Sequence, residues 1–115
     1  MLVHIENETL ENEAYRNVLY TNGVCQVALM NLLPGEEIGM EVHPSTTQFI
    51  RIERGNGKAI VGDSTYSITD GDAVVVPMGT RHNIINIGEE NLQLYTVYCG
   101  VPAHPAATYE FEKED

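Results

Sequence analysis

The sequence predicts an all-β chain folded as an antiparallel sandwich or barrel. Three observations carry this: short runs rich in β-branched and aromatic residues, turn residues between nearly all of them, and little that favours a helix. The runs are Tyr15 to Tyr20, Val24 to Leu33, Ile38 to His43, Gln48 to Glu53, Lys58 to Val61, Ser64 to Ile68, Ala73 to Val76, His82 to Ile87 and Leu92 to Tyr98. Separating them are Thr21-Asn22-Gly23, Leu33-Pro34-Gly35, Arg54-Gly55-Asn56-Gly57, Thr69-Asp70-Gly71-Asp72 and Ile87-Gly88-Glu89-Glu90-Asn91, all rich in residues that turn a chain. A jelly roll is one way to close so many short strands.

Local chemistry supports each element. Gly55 and Gly57 are expected to supply positive φ in a hairpin, and Gly71 to end the loop before the buried run Ala73-Val74-Val75-Val76. Pro77 fixes φ and stops the ladder, while Gly79 permits a sharp return, so His82 opens the next strand with its side chain free to reach inward. Asn86 shares the His82 face and is assigned a structural hydrogen bond. By parity, Ile50 and Ile52 lie on the Gln48 face and Ile84 on the His82 face, giving an apolar lining, whereas Arg51 points the other way. Tyr95 and Tyr98 are three apart, so only one can face inward and offer a pocket hydroxyl.

At 115 residues, positions 1–115 suit a single domain, and the 43% hydrophobic content without a long apolar run favours neither a membrane span nor disorder. The start, Met1-Leu2-Val3-His4-Ile5-Glu6, shows no basic region followed by an apolar one, so a cytoplasmic location is expected. Seventeen Asp and Glu against six Lys and Arg give a formal charge of -11, which argues against nucleic acid and anionic lipid surfaces as partners. The acidic residues Glu6, Glu8, Glu11 and Glu13 and Glu110, Glu112, Glu114 and Asp115 read as solvated termini. Cys25 and Cys99 read as buried thiols in a reducing compartment, and His4 and His104 as exposed. The stretch Pro102-Ala103-His104-Pro105 is expected to fold back over a strand or a subunit contact.

Chemistry concentrates in two segments. Alternate residues of an extended strand share a face, so Glu41 and His43 can project together, with Gln48 and His82 arriving from other strands. Two imidazoles and two oxygen donors suit a first-row divalent ion. Glu41 can bind such a metal, act beside it as a catalytic base, or turn to solvent. Gln48 can coordinate only through its amide oxygen, or hydrogen-bond a water on the metal.

The spacing of these residues resembles the cupin superfamily, whose motifs read G-x5-H-x-H-x3,4-E-x6-G and G-x5-P-x-G-x2-H-x3-N. The second is matched by Gly71, Pro77, Gly79, His82 and Asn86; the first keeps Gly35, His43 and Gly55, with Glu41 at its first His position and Gln48 at its Glu position. The resemblance covers Gly35 to Asn86 and implies a double-stranded β-helix barrel holding one divalent metal on Glu41, His43, Gln48 and His82. Exchanging His for Glu and Glu for Gln leaves the ligand charge unchanged. The oxygen-richer set favours manganese or iron, with nickel, copper or zinc able to enter.

The implied function is a metal-dependent enzyme of the isomerase, lyase or dioxygenase type acting on a small oxygen-rich metabolite; the alternative is a non-catalytic metal-ion or carbohydrate-binding module. Small single-domain cupins are often similar to mannose-6-phosphate isomerases, but Arg81 and Lys58 are the only cations near these motifs, so a sugar phosphate is not the first expectation. The resemblance also implies a homodimer, and Phe49 and Val42 lie on faces opposite the ligands.

Overall fold

Alternating burial along the strands closes two antiparallel sheets over an apolar interior in the computed structural model, which describes residues 1–114. A short helix, α1 (Ile5–Glu11), precedes β1 (Arg16–Thr21), β2 (Cys25–Leu32), β3 (Thr46–Arg54), β4 (Asn56–Val61), β5 (Ser64–Thr69), β6 (Ala73–Val76), β7 (His82–Asn86), β8 (Leu92–Gly100) and β9 (Tyr109–Glu110). The larger sheet runs β6-β3-β8-β2-β1-β9 and the smaller β5-β4-β7. Register places rows of inward side chains across the larger sheet: Val18, Ala28, Thr96, Ile50 and Val74 form one, and Tyr98, Gln48 and Val76 the next. Met30, Leu32, Ile50, Ile52, Ile84, Leu92 and Leu94 fill the space between the sheets and are almost fully buried, as parity required of Ile50, Ile52 and Ile84.

Several elements differ from expectation. The run Ile38 to His43 is not a strand: only Glu37 and Glu41 form isolated bridges to β7, at Ile85 and His82. Gly39, at φ 105°, interrupts the ladder, and its N–H donates instead to the Asn83 side chain at 2.8 Å. Helix α1 was not foreseen because its sequence carries almost no apolar stripe, Thr9 alone being buried. A tertiary contact holds it, Gln93 donating to the carbonyl of Leu10 at 2.8 Å, and a local one closes its start, the Glu8 carboxylate accepting from the His4 N–H at 2.9 Å. Gly57 does not adopt positive φ; a Cβ there would lie 2.9 Å from Leu92 and 3.1 Å from the Ile85 carbonyl, so close packing demands the glycine. Gly55, at φ 110°, behaves as the hairpin required.

Cys25 and Cys99 stand directly opposite each other across β2 and β8 as free thiols, but Cys99 is exposed and Cys25 half-buried, since both lie on the outer face of the sheet. Strand β9 was not expected, and Glu110 on it is not a solvated terminal group. Its carboxylate pairs with Arg16 at 3.0 Å. Asp115, read as part of the acidic terminus, lies outside the described residues. Asn86 plays its assigned structural part: its amide donates to the carbonyls of Leu32 and Glu90, both at 2.9 Å, and its oxygen accepts from the Gly88 N–H. No helix among the described residues is long and apolar enough to cross a membrane.

Candidate metal centre

Backbone pairing brings the first two donors together. Glu41 and His82 exchange N–H···O=C bonds of 2.9 Å in both directions, and residues paired in this way project to the same side. The turn Pro77 to Thr80 closes with the Thr80 N–H on the Pro77 carbonyl at 3.1 Å, and the Gly79 N–H donates to the carbonyl of His43 at 2.9 Å. That bond ties the turn carrying His82 to the segment carrying His43. The two imidazole rings stand 5.2 Å apart, and the Tyr98 ring meets His43 edge-on at 5.7 Å. Tyr98 is the tyrosine that faces inward; Tyr95 packs beside Phe49 on the outer face, 6.4 Å away.

Glu41, His43 and His82 each offer one ligand atom, and these atoms all lie within 4.8 Å of one another. The His82 Nδ1 sits 2.9 Å from the Thr80 carbonyl, which can only accept; Nδ1 therefore carries the proton and Nε2 keeps a free lone pair. His43 Nε2 lies 3.1 Å from a Glu41 carboxylate oxygen, yet is buried without an aligned hydrogen bond. Burial holds the His43 pKa below its ordinary 6.5, against the opposing pull of Glu41 and aided by His82. The imidazole is thus neutral at pH 7, the form that ligates metals.

Gln48 enters from β3, opposite Val76 and Tyr98, and is 3% exposed. Its amide nitrogen donates to the Thr96 hydroxyl at 2.9 Å, so the oxygen is the atom left over, and that buried oxygen has no hydrogen-bond partner. An unpartnered buried amide oxygen costs about 1–3 kcal/mol, a penalty a cation would remove. Converging lone pairs, a neutral half-buried imidazole and an orphaned amide oxygen all fit a bound divalent ion.

Two residues beside this cluster were not foreseen as part of it. Arg16 alternates with Val18 on β1, so parity could have shown a cation among inward side chains. Its side chain is 8% exposed, its guanidinium lies over the Tyr15 ring at 5.1 Å, and its charge helps depress the His43 pKa. Arg81 and Lys58, the cations expected near the motifs, are exposed. His104, expected to be exposed, is half-buried because the tail folds back as predicted: the Gln26 side chain donates to the His104 carbonyl at 2.7 Å and accepts from its N–H at 3.1 Å, while His104 Nε2 lies 3.3 Å from the Tyr98 hydroxyl. His4 is exposed, as expected.

Burial, reinforced by Arg16, lowers the His104 pKa to about 4, with Glu110 opposing. Released, the same imidazole titrates near 6.5. The released state therefore binds the extra proton first, and the tail's docking weakens as pH falls from about 6.5 towards about 4. Hydrogen-exchange protection across residues 102–110, taken relative to the intrinsic rate at each pH, is expected to fall over that window, and His104→Gln to flatten the response; equal pH dependence of protection in both proteins would show that His104 does not govern docking.

Fold and cluster together define a class: a double-stranded β-helix protein that gathers two imidazoles and a carboxylate between its sheets. The chain belongs to the cupin family, whose cupin-domain model matches residues 28–98. It is 42% identical over 120 residues to protein YrkC of Bacillus subtilis (strain 168), covering 99% of this chain and 64% of that protein. It is 43% identical over 109 residues to protein L612 of Acanthamoeba polyphaga mimivirus, covering 90% of this chain and 67% of that one. The crystal structure of BH2720 from Bacillus halodurans superposes with a TM-score of 0.93 at 38% identity, over 96% of this chain and 88% of the other. A predicted oxalate decarboxylase of Thermotoga maritima superposes with a TM-score of 0.64 at 26% identity, over 66% of each chain.

Proposed function

We propose that this cupin is a metal-dependent enzyme of the isomerase, lyase or dioxygenase type, acting on a small oxygen-rich metabolite inside the barrel. The observation that carries the reading is the convergence of Glu41, His43 and His82 within 4.8 Å, with the buried, unpartnered oxygen of Gln48 on the strand position opposite Tyr98, whose ring packs on His43. These four residues would hold the ion, with manganese or iron favoured and nickel, copper or zinc able to compete. When bound, a divalent ion supplies Lewis acidity towards a metabolite's oxygens.

The chain's own groups do the rest. Glu41 is the most open of the donors, its side chain 30% exposed, and where it does not bind the ion its carboxylate is the group placed to accept or return a proton. Tyr98 stays protonated, since burial pushes its phenol well above the ordinary value, and its hydroxyl can donate a hydrogen bond. Ile50, Val76 and Ile84 exclude water from the floor of the barrel. Likeness to the predicted oxalate decarboxylase gives modest support to the lyase type.

The reading takes residues 1–115 as one working domain in the cytoplasm, where two free thiols are at home, and as one half of a homodimer. Phe49, exposed Val75 and Tyr95 on the outer face support such pairing, and sedimentation would test it. The decisive experiment loads purified protein with manganese or iron and screens small hydroxy, keto and dicarboxylic acids and sugars for turnover. Metal-dependent product that disappears with a chelator supports the enzyme; tight binding without product overturns it in favour of a metal-ion or carbohydrate-binding module.

A further inference from the structure

Arg16 is a cation in an unusual place. The chain carries six Lys and Arg against seventeen Asp and Glu, and this one arginine is turned inward, its side chain 8% exposed. Desolvating a guanidinium is costly unless its donors are well paired. Here the pairing is incomplete. One terminal nitrogen meets a single Glu110 carboxylate oxygen at 3.0 Å, the face of the group lies over Tyr15, and the Nε–H is buried with no acceptor. Guanidinium and carboxylate often bind through two parallel bonds, so this single-pronged contact leaves recognition capacity unused.

The position of that capacity gives it meaning. Arg16 shares the inward face of β1 with Val18, Val18 packs with Tyr98, and Tyr98 packs directly against His43. Arg16 therefore turns its guanidinium into the same side of the barrel interior that Tyr98 and His43 face. The partner now holding Arg16 is the less anchored of the two: β9 is two residues long and pairs with β1 only at Arg16–Glu110 and Asn17–Tyr109. The tail leading to it is pinned by Gln26 and Tyr98 through His104, and its Ala107 adopts φ 60°, a conformation uncommon for a residue with a side chain.

We propose that Arg16 is the carboxylate-binding residue of this pocket and that Glu110 occupies it in place of the ligand's own carboxylate. The inference deepens the proposed function and rests on it for the second contact: the substrate class is a small carboxylic acid with a further oxygen group for the metal cluster. A ligand carboxylate able to engage both terminal nitrogens would make two parallel bonds where Glu110 makes one, to Nη1. Glu110 thus acts as a tethered competitor that sets the affinity for the acid.

The test measures binding, not turnover. Calorimetry with malonate and succinate, and with the neutral analogue malonamide, is run on manganese-loaded and metal-free protein for wild type, Glu110→Gln, Arg16→Lys and Arg16→Gln. The acids are expected to bind wild type and malonamide not to bind. Glu110→Gln, which keeps the side-chain shape but removes the charge, is expected to bind an acid about 10-fold more tightly, and both Arg16 variants at least 10-fold more weakly. Thermal unfolding covers the case of poor folding: the acid should raise the melting temperature of Glu110→Gln by more than that of wild type.

Acid binding that is absent from wild type, or that is equal in all four proteins, overturns the proposal. The metal reading fails separately. If manganese binds but the acid response ignores Arg16, only this inference falls; if manganese does not bind and the acid still follows Arg16 and Glu110, the carboxylate site stands and the metal reading falls.

Discussion

His82→Ala is expected to remove divalent-metal binding, lowering manganese affinity by about 100-fold or more, the upper end of what loss of a supporting group alone costs. The argument rests on orientation. His82 is 4% exposed, opens β7, and has Nδ1 committed to the Thr80 carbonyl, so Nε2 is the nitrogen left to face an ion and its ring orientation is set before one arrives. The ring also helps hold His43 neutral. Removing it deletes one donor and loosens a second. Because the Glu41–His82 bridge is made by backbone groups, the variant keeps the bond that joins the two segments. Calorimetric titration and metal content after dialysis provide the check. Undiminished manganese affinity in a folded His82→Ala protein would refute the assignment of this cluster as a metal site.

The largest effect on stability is expected from a glycine. Gly55→Ala should cost about 3 kcal/mol or more in urea denaturation, whereas Gly71→Ala should cost about 1 kcal/mol. Both residues have positive φ, 110° and 86°, so both substitutions incur backbone strain. They differ in what a methyl group would meet. At Gly71 nothing lies within 4 Å, while at Gly55 the new Cβ would sit 2.7 Å from the Asn91 carbonyl oxygen and 3.0 Å from the Leu92 Cα. Both neighbours are backbone and cannot swing aside, and Leu92 begins β8 at the centre of the core. Equal losses at the two positions would show that strain alone sets the requirement.

What could be read in the sequence was what repeats or what punctuates. Period-two burial along β3, turn glycines and the Pro77–His82 return are local properties, and they put Gln48 on the inward face of its strand and His82 at the start of the next with no knowledge of the third dimension. The Gly39 break in the expected strand was not legible, because Ile38 to His43 reads as extended whether or not it forms a continuous ladder. Helix α1 depends on Gln93, over eighty residues away in the chain, donating to its last turn. Arg16 was overlooked for a related reason. A lone arginine in a strand is read as surface unless its parity with Val18 is weighed against the Glu110 that neutralises it, and 94 residues separate that pair.

Strand β9 has a further consequence. Short as it is, it caps the flank of β1 that β2 leaves free, and the N–H groups of Tyr15 and Val18 donate to Phe111 and Thr108 on that side. Complete departure of the tail would strip those groups and offer the flank as a template for a foreign strand, the usual start of aggregation. Exchange of acids at Arg16 is therefore best confined to the swing of one glutamate side chain over an intact ribbon, and a protein trimmed before Tyr109 should be stickier rather than simply more open.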